Sequence, residues 1–160
     1  MPELDQLVSI VNAACEHGCT MEPNSTPKAL RINAADLLKV CTQLQQNPTS
    51  YFDMLVNVTG VDNGVDKGTF DVVYHLTSIP YNFQLALIVS VSRENPEVES
   101  VSHIWKSANW HEREAYDLTG IKFLNHPDLR RILLPADWNG YPLRKDYKHD
   151  DYYRNIKIEY

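Results

Sequence analysis

The amino-acid sequence predicts an α+β domain: an antiparallel or mixed sheet of about four strands, covered by helices and followed by an extended, irregular C-terminal arm. Three observations carry this expectation. Apolar residues recur at helical spacing before Asn47. Three β-rich runs then follow through short connectors, which favours antiparallel neighbours. From Pro127 onward, Pro135 and Pro142 interrupt anything longer than a short strand. The expected division is therefore an α+β unit at 1–134 and an arm at 135–160 within one domain.

Leu4, Leu7, Val8, Val11, Ala14 and Cys15 form an i, i+3, i+4, i+7 stripe that ends at Gly18, so a first helix should lie on the sheet. A link through Pro23 and Pro27 leads to a short strand, Ala29 to Ile32. Asn33 and Asp36 then cap a second helix bearing Leu37, Leu38, Cys41 and Leu44, which Asn47-Pro48 stops. The three β-rich runs are Phe52 to Val61, Phe70 to Thr77 and Phe83 to Val91. Beyond Asn95-Pro96, the spacing of Val98, Val101 and Trp105 predicts one side of a further helix leading into Asn109–Asp146, where charge of both signs is interleaved with aromatics.

That stretch opens on a short helix. Asn109 and Glu112 have capping-box spacing, and Gly120 supplies a stop. A step of about 100° per residue puts Trp110, Arg113, Glu114, Asp117 and Leu118 on one face, with Arg113 and Asp117 as i,i+4 neighbours. Glu112 and Glu114 point about 160° apart, so they cannot act together on one bond. A carboxylate flanked by Trp110 and Leu118 needs a cation if that face is covered, and Arg130, Arg131, Arg144 and Lys145 lie downstream. An ion network is expected.

Composition narrows the function. The formal charge is −6, with 5 basic and 12 acidic residues up to Ser102 and 10 basic and 9 acidic beyond it. Such a chain has no basic footprint for nucleic acid and is repelled by anionic headgroups. Leu85 to Val91, the longest strongly apolar stretch, falls far short of the ~20 residues that cross a bilayer, and Met1-Pro2-Glu3 opens no signal peptide, so no direct membrane insertion is expected. Cys15, Cys19 and Cys41 read as packed thiols in a reducing compartment, since Cys15, His17 and Cys19 lack a fourth donor at a familiar metal spacing. His75 reads as a hydrogen-bonded sheet residue and His126, ahead of Pro127, as a turn residue. There is no G-x-G-x-x-G, no Walker loop, no nucleophile elbow and no cysteine set for an iron–sulfur cluster.

One long ordered pattern remains. EREAYDLTGIKFLNHPDLRRILL followed by DWNGYPLRKDY resembles the signature of the C subunit of proton-pumping NADH:quinone oxidoreductase, the 30-kDa-type subunit family of respiratory complex I. The elements stand at Glu112-Arg113-Glu114, Tyr116, Asp117, Gly120-Ile121, His126-Pro127, Arg130-Arg131 and Pro142-Leu143-Arg144-Lys145-Asp146. A looser likeness through Phe52–Asp62 and Val72–Ser78 extends it from about Leu30 to Tyr147.

The resemblance implies a non-catalytic structural subunit of the peripheral arm, in a complex that passes electrons from NADH to quinone coupled to proton translocation. It implies packing against the D subunit and neighbouring peripheral-arm subunits, on the cytoplasmic side of the cell (inner) membrane. No cofactor is expected on this chain; NADH, FMN, iron–sulfur clusters and quinone belong to other subunits. The motif residues, with Trp110, are expected to form partner contacts or the ion network. Equivalent subunits serve ferredoxin-dependent plastoquinone-reducing and hydrogenase-type complexes. A reading of another class is a stand-alone metal-dependent hydrolase using Glu114, Asp117, His126 and Asp128. The arm, with Trp138, Tyr141, Tyr147, Tyr152, Tyr153 and Tyr160, has the aromatic and Arg content of a protein interface.

Overall fold

Helix α1 (Leu4–Ala14) buries Leu7 and Val11 completely, each worth roughly 2 kcal/mol of transferred apolar surface. The computed structural model describes residues 4–158, so the expectations that touch Met1–Glu3 and Tyr160 lie outside it. After α1 come β1 (Thr20–Glu22), β2 (Ala29–Ile32), a 3₁₀ turn (Ala34–Asp36), α2 (Leu37–Gln46), β3 (Met54–Asp62), β4 (Thr69–Ser78) and β5 (Phe83–Ser92). They form a five-stranded mixed sheet in the order β1-β2-β5-β4-β3, in which only the β2–β5 pair is parallel. The α+β class stands, with one strand more than expected. Strand β1 escaped notice because it is three residues long and shows no buried alternation.

Every second residue of β4, namely Phe70, Val72, Tyr74, Leu76 and Ser78, is buried, while those between are half-exposed. The sheet is therefore covered on one face. Leu7 and Val11 of α1, Val40, Cys41 and Leu44 of α2 and Ala115 of the third helix share one apolar cluster with this face. Asn33, expected to cap α2, instead caps the 3₁₀ turn before it by accepting from the Ala35 amide (3.0 Å). Asp36 does not cap α2: its carboxylate accepts from the Glu16 and His17 amides (3.1 and 3.3 Å) and ties the end of α1 to the start of α2.

Residues 97–105 differ from the expected helix. Glu97–Glu99 is a strand, β6, paired in parallel with β7 (Lys122–Leu124). Val98 lies between two outward glutamates, which is a period of two and not of 3.6. Trp105 Nε1 donates to the Phe52 carbonyl (3.0 Å) and Ser107 Oγ to that of Leu55 (2.9 Å), fixing where α3 (Ala108–Thr119) begins above β3. At the other end of α3, Gly60 on β3 makes the close approach possible. A Cβ there would lie 2.8 Å from Ile121 Cδ1 and 2.9 Å from Thr119 Oγ1.

Past β7 the chain follows the irregular course expected of the arm, through turns closed by Trp138 N–H to Pro135 O (3.0 Å) and Arg144 N–H to Tyr141 O (3.1 Å). It ends on a small hairpin, β8 (Tyr152–Tyr153) and β9 (Ile156–Lys157), turned by Arg154 and Asn155 at positive φ.

Candidate functional site

The predicted residues converge on α3, but not all as the helical wheel suggested. Asp117 is fully buried. Its Oδ2 accepts the amides of Ile132, Leu133 and Leu134 (3.0, 2.7 and 2.8 Å), and its Oδ1 accepts from Arg131 Nη1 (2.7 Å). Burial pushes this carboxyl up, and the Leu134 amide, the Arg131 guanidinium and the other two amides together bring it below the ordinary range. Arg131 reaches further, to the carbonyls of Trp138 (3.2 Å) and Gly140 (2.9 Å), with its guanidinium 5.1 Å from the Tyr141 ring centre. This ion pair thus clasps the irregular chain from Ile132 to Gly140 onto the helix.

The Pro142–Asp146 segment docks on the same end of α3. Leu143 N–H donates to Leu118 O (2.9 Å) and Arg144 Nε to Thr119 O (2.7 Å), so two orphan carbonyls of the last helical turn are satisfied. Arg144 lies over Tyr141 (4.7 Å) and Phe70 (5.2 Å). Gly120 ends the helix at φ 78°, and a Cβ on it would meet Arg144 Nη2 at 2.5 Å and Tyr141 Cε2 at 2.7 Å. The next turn is held by Asp62, whose Oδ2 accepts the Lys145 amide (2.7 Å) and whose Oδ1 accepts the Gly64 amide (2.8 Å) and pairs with Arg93. Arg93 also pairs with Asp146. Burial raises the Asp62 carboxyl, and Arg93 with the two amides overrides it, leaving it lowered.

Other predicted members stand elsewhere. Arg113 is not the partner of Asp117; it donates to the carbonyls of Arg130 (3.2 Å) and Arg131 (3.4 Å) and lies over Trp110 (5.2 Å). Trp110 is 62% exposed and cannot shield a carboxylate. Glu114 is exposed as well, beside a groove of about 90 Å³ lined by Asn57, Thr59, Leu118 and Leu143. Arg130 turns to its neighbour Asp128 at the surface (3.0 Å), and Pro127 is exposed. Of the four candidate cations, only Arg131 neutralises a buried carboxylate of α3.

Glu112 is not a cap. Helix α3 begins one residue before Asn109, and the Glu112 side chain is buried, accepting from Val101 N–H (2.8 Å) and Ser100 Oγ (2.6 Å). Here burial wins against the two hydrogen bonds and pushes the carboxyl up to about 7. Glu114, Asp117, His126 and Asp128 do not gather into a metal-holding group, and among the described residues no set of three His, Cys, Asp or Glu does. Near the N-terminus, His17 Nδ1 faces Asp36 (3.0 Å) and burial pushes the Cys15 thiol up to about 11. Sequence reasoning passed over Asp62 and Arg93. Asp62 precedes Asn63-Gly64 and looks like a turn former, and nothing local signals that its carboxylate faces a segment 83 residues away.

Asp117, Arg131, Arg144 and Asp62 thus form main-chain clasps around two largely buried ion pairs, Asp117–Arg131 and Asp62–Arg93. A sequence model of the respiratory-chain NADH dehydrogenase 30-kDa subunit matches residues 30–153, which include all of these clasps. The chain belongs to that family.

The C subunit of the NADH-quinone oxidoreductase of Chloroherpeton thalassium is 49% identical over 110 residues, 68% of this chain and 45% of that protein. Its counterpart in Xanthobacter autotrophicus is 40% identical over 138 residues, 81% of this chain and 66% of its own length. The chain thus spans about half to two-thirds of these relatives. Among solved structures, the trypsin-resistant fragment (1–134) of Nqo5 aligns with a TM-score of 0.61 at 26% identity, covering 79% of this chain and 98% of the fragment. A chain of an archaeal membrane-bound sulfane sulfur reductase aligns at TM-score 0.75 and 18% identity, over 90% of this chain and 85% of that one, and shares the fold. No described helix is long and apolar enough to cross a membrane.

Proposed function

We propose that this chain is a structural C subunit in the peripheral arm of an NADH:quinone oxidoreductase, and that it carries no catalytic residue and binds no cofactor of its own. The observation that carries the reading is the use to which the motif is put. Asp117, Arg131, Arg144 and Asp62 are engaged with main-chain groups and one another, which holds a surface in shape and occupies these charged groups structurally. Electron transfer from NADH to quinone, with proton translocation, then belongs to the assembly, and NADH, FMN, clusters and quinone to neighbouring subunits.

The D subunit is the partner this reading names, on the cytoplasmic side of the membrane. Trp110, with Arg113 stacked beside it, and Leu133 stand out from the clasped surface and have the character of interface anchors. The arm from Pro135 onward is the second contact, rooted on its own domain through Asp146 and folded back beyond it, where Tyr147 meets Trp138 and Arg154 pairs with Asp137.

The test is purification of the membrane complex through a tag on this chain. NADH:quinone oxidoreductase activity and the D subunit should copurify in fixed proportion. The isolated chain should show neither flavin nor iron–sulfur absorbance, nor NADH oxidation. A visible cofactor retained by the isolated chain, or a tagged chain recovered without the complex, overturns the proposal.

A further inference from the structure

Glu112 and His126 are a buried titratable pair that the clasps do not use. Both side chains are fully buried, with His126 Nε2 3.8 Å from Glu112 Oε2. His126 Nδ1 accepts the Asp128 amide (3.0 Å), so it carries no proton. The ring is therefore neutral with its proton on Nε2, and Nε2–H donates to the Asn109 carbonyl (3.1 Å). We propose that Glu112 and His126 form a proton-operated switch: it moves the hydrogen bond of His126 Nε2–H between the Asn109 carbonyl and the Glu112 carboxylate, and so sets how the His126–Pro127–Asp128 turn sits on α3.

Ser100 Oγ donates to the Glu112 carboxylate (2.6 Å); in the acid form that bond reverses, Glu112 O–H donating to Ser100 Oγ while the Ser100 hydroxyl keeps its proton and donates to Ser102 Oγ (2.7 Å). Val101 N–H serves Oε1 (2.8 Å), and His126 keeps to Asn109. When the carboxyl releases its proton to solvent, the buried anion has no Lys or Arg partner among the described residues. The donor facing it is His126 Nε2–H, and closing 3.8 Å to a hydrogen bond needs a ring movement of under about 1 Å. That movement breaks the bond to Asn109 and pulls on Asp128, whose amide is tied to the same ring.

Among the described residues, the groups facing Glu112 do not intercept the proton. Cys41 of α2 and Tyr74 of β4 face Glu112, and burial, with the Glu112 charge, raises both well above neutral pH. Arg113 is bonded to the Arg130 and Arg131 carbonyls, and Asp128 to Arg130. Burial pushes the Glu112 carboxyl up to about 7, which places the exchange near neutrality.

The test is NMR of the full chain carrying ¹⁵N-histidine and ¹³C-carboxyl glutamate, titrated from about pH 5.5 to about pH 8.5. The Glu112 carboxyl carbon should titrate with a midpoint near 7. The His126 Nε2 and the Asp128 amide should move with the same midpoint. Glu112→Gln should abolish those movements. The proposal fails if the Glu112 carbon does not titrate in this window, or if it titrates while His126 and Asp128 stay still. It also fails if the movement survives in Glu112→Gln. Should that variant not fold, the wild-type carbon and nitrogen shifts alone decide.

Discussion

Helix α3 carries two carboxyls, Asp117 and Glu112, that are equally hidden from solvent and oppositely tuned. Asp117 has three amides and a guanidinium, and is held below the ordinary carboxylate range. Glu112 has one amide and one hydroxyl, and is raised to about 7. Burial is the largest single influence on both. Both burial depth and the supply of donors separate them: at Asp117 four donors, one of them charged, outweigh the lost hydration, and at the more deeply set Glu112 two neutral ones do not. The first site is accordingly a fixed clasp and the second a group that can change state.

The largest effect that probes this difference comes from taking the cation away. Arg131→Ala leaves Asp117 buried with amides alone and frees the Trp138 and Gly140 carbonyls, so it should cost about 3–5 kcal/mol. In a chain of this size that lowers the melting temperature by roughly 10 °C. Arg130→Ala, beside it, breaks only a surface pair with Asp128 and should cost under about 1 kcal/mol. Equal losses in the two variants, measured by chemical denaturation, would mean that the ion pair does not organise the clasp.

The pH dependence separates the two carboxyls next. Glu112 has a folded pKa raised from 4.5 to about 7, so between those values the native chain holds a proton that the unfolded chain has released. Its stabilising contribution is complete below about 4.5 and is lost as pH rises through about 7, a total of about 3 kcal/mol. Asp117 and Asp62, both lowered, act in the other direction: their contribution is present above 3.8 and is lost as pH falls through their folded values. Glu112→Gln should therefore match the wild type near pH 5 and exceed it near pH 8. A wild-type profile flat from pH 5 to pH 8 would remove Glu112 from the account.

A smaller effect is expected at Gly120, where the clasp meets the helix end. Gly120→Ala puts a Cβ at positive φ and within 2.5 Å of Arg144, costing about 2 kcal/mol and loosening the docked segment. Faster exchange of the Leu143 and Lys145 amides, whose acceptors are Leu118 O and Asp62, is the specific readout; unchanged exchange would show that Arg144 yields easily.

Gly120 as a helix stop was legible in the sequence, as were α1, α2, β2 and the three long strands, because those depend on local spacing and on breakers such as Asn47-Pro48. That Asp117 needs a cation was legible, but which of Arg130, Arg131, Arg144 and Lys145 supplies it was not. What stayed hidden depends on tertiary reach. Glu112 has capping-box spacing to Asn109, yet its carboxyl is drawn inward by Ser100 and Val101, a competition that no window around residue 112 contains. Trp110 sat on the expected buried arc, but α3 is rotated so that Glu112, Ala115 and Thr119 face the core.

That rotation sets up the smallest expected change in stability. Trp110 is 62% exposed, on the same helix as the two buried carboxyls, and its packing against Arg113 is a surface contact. Trp110→Ala should alter folding stability by no more than about 0.5 kcal/mol, an order of magnitude below Arg131→Ala. If the face it occupies meets the partner, the same variant should lower recovery of the assembled complex several-fold at unchanged melting temperature. A buried anchor of this kind is commonly worth about 2 kcal/mol or more at an interface. The two measurements made together locate the function of the face. Loss of assembly without loss of stability assigns Trp110 to the interface, whereas intact assembly would place the partner on another surface and leave α3 with its internal role alone.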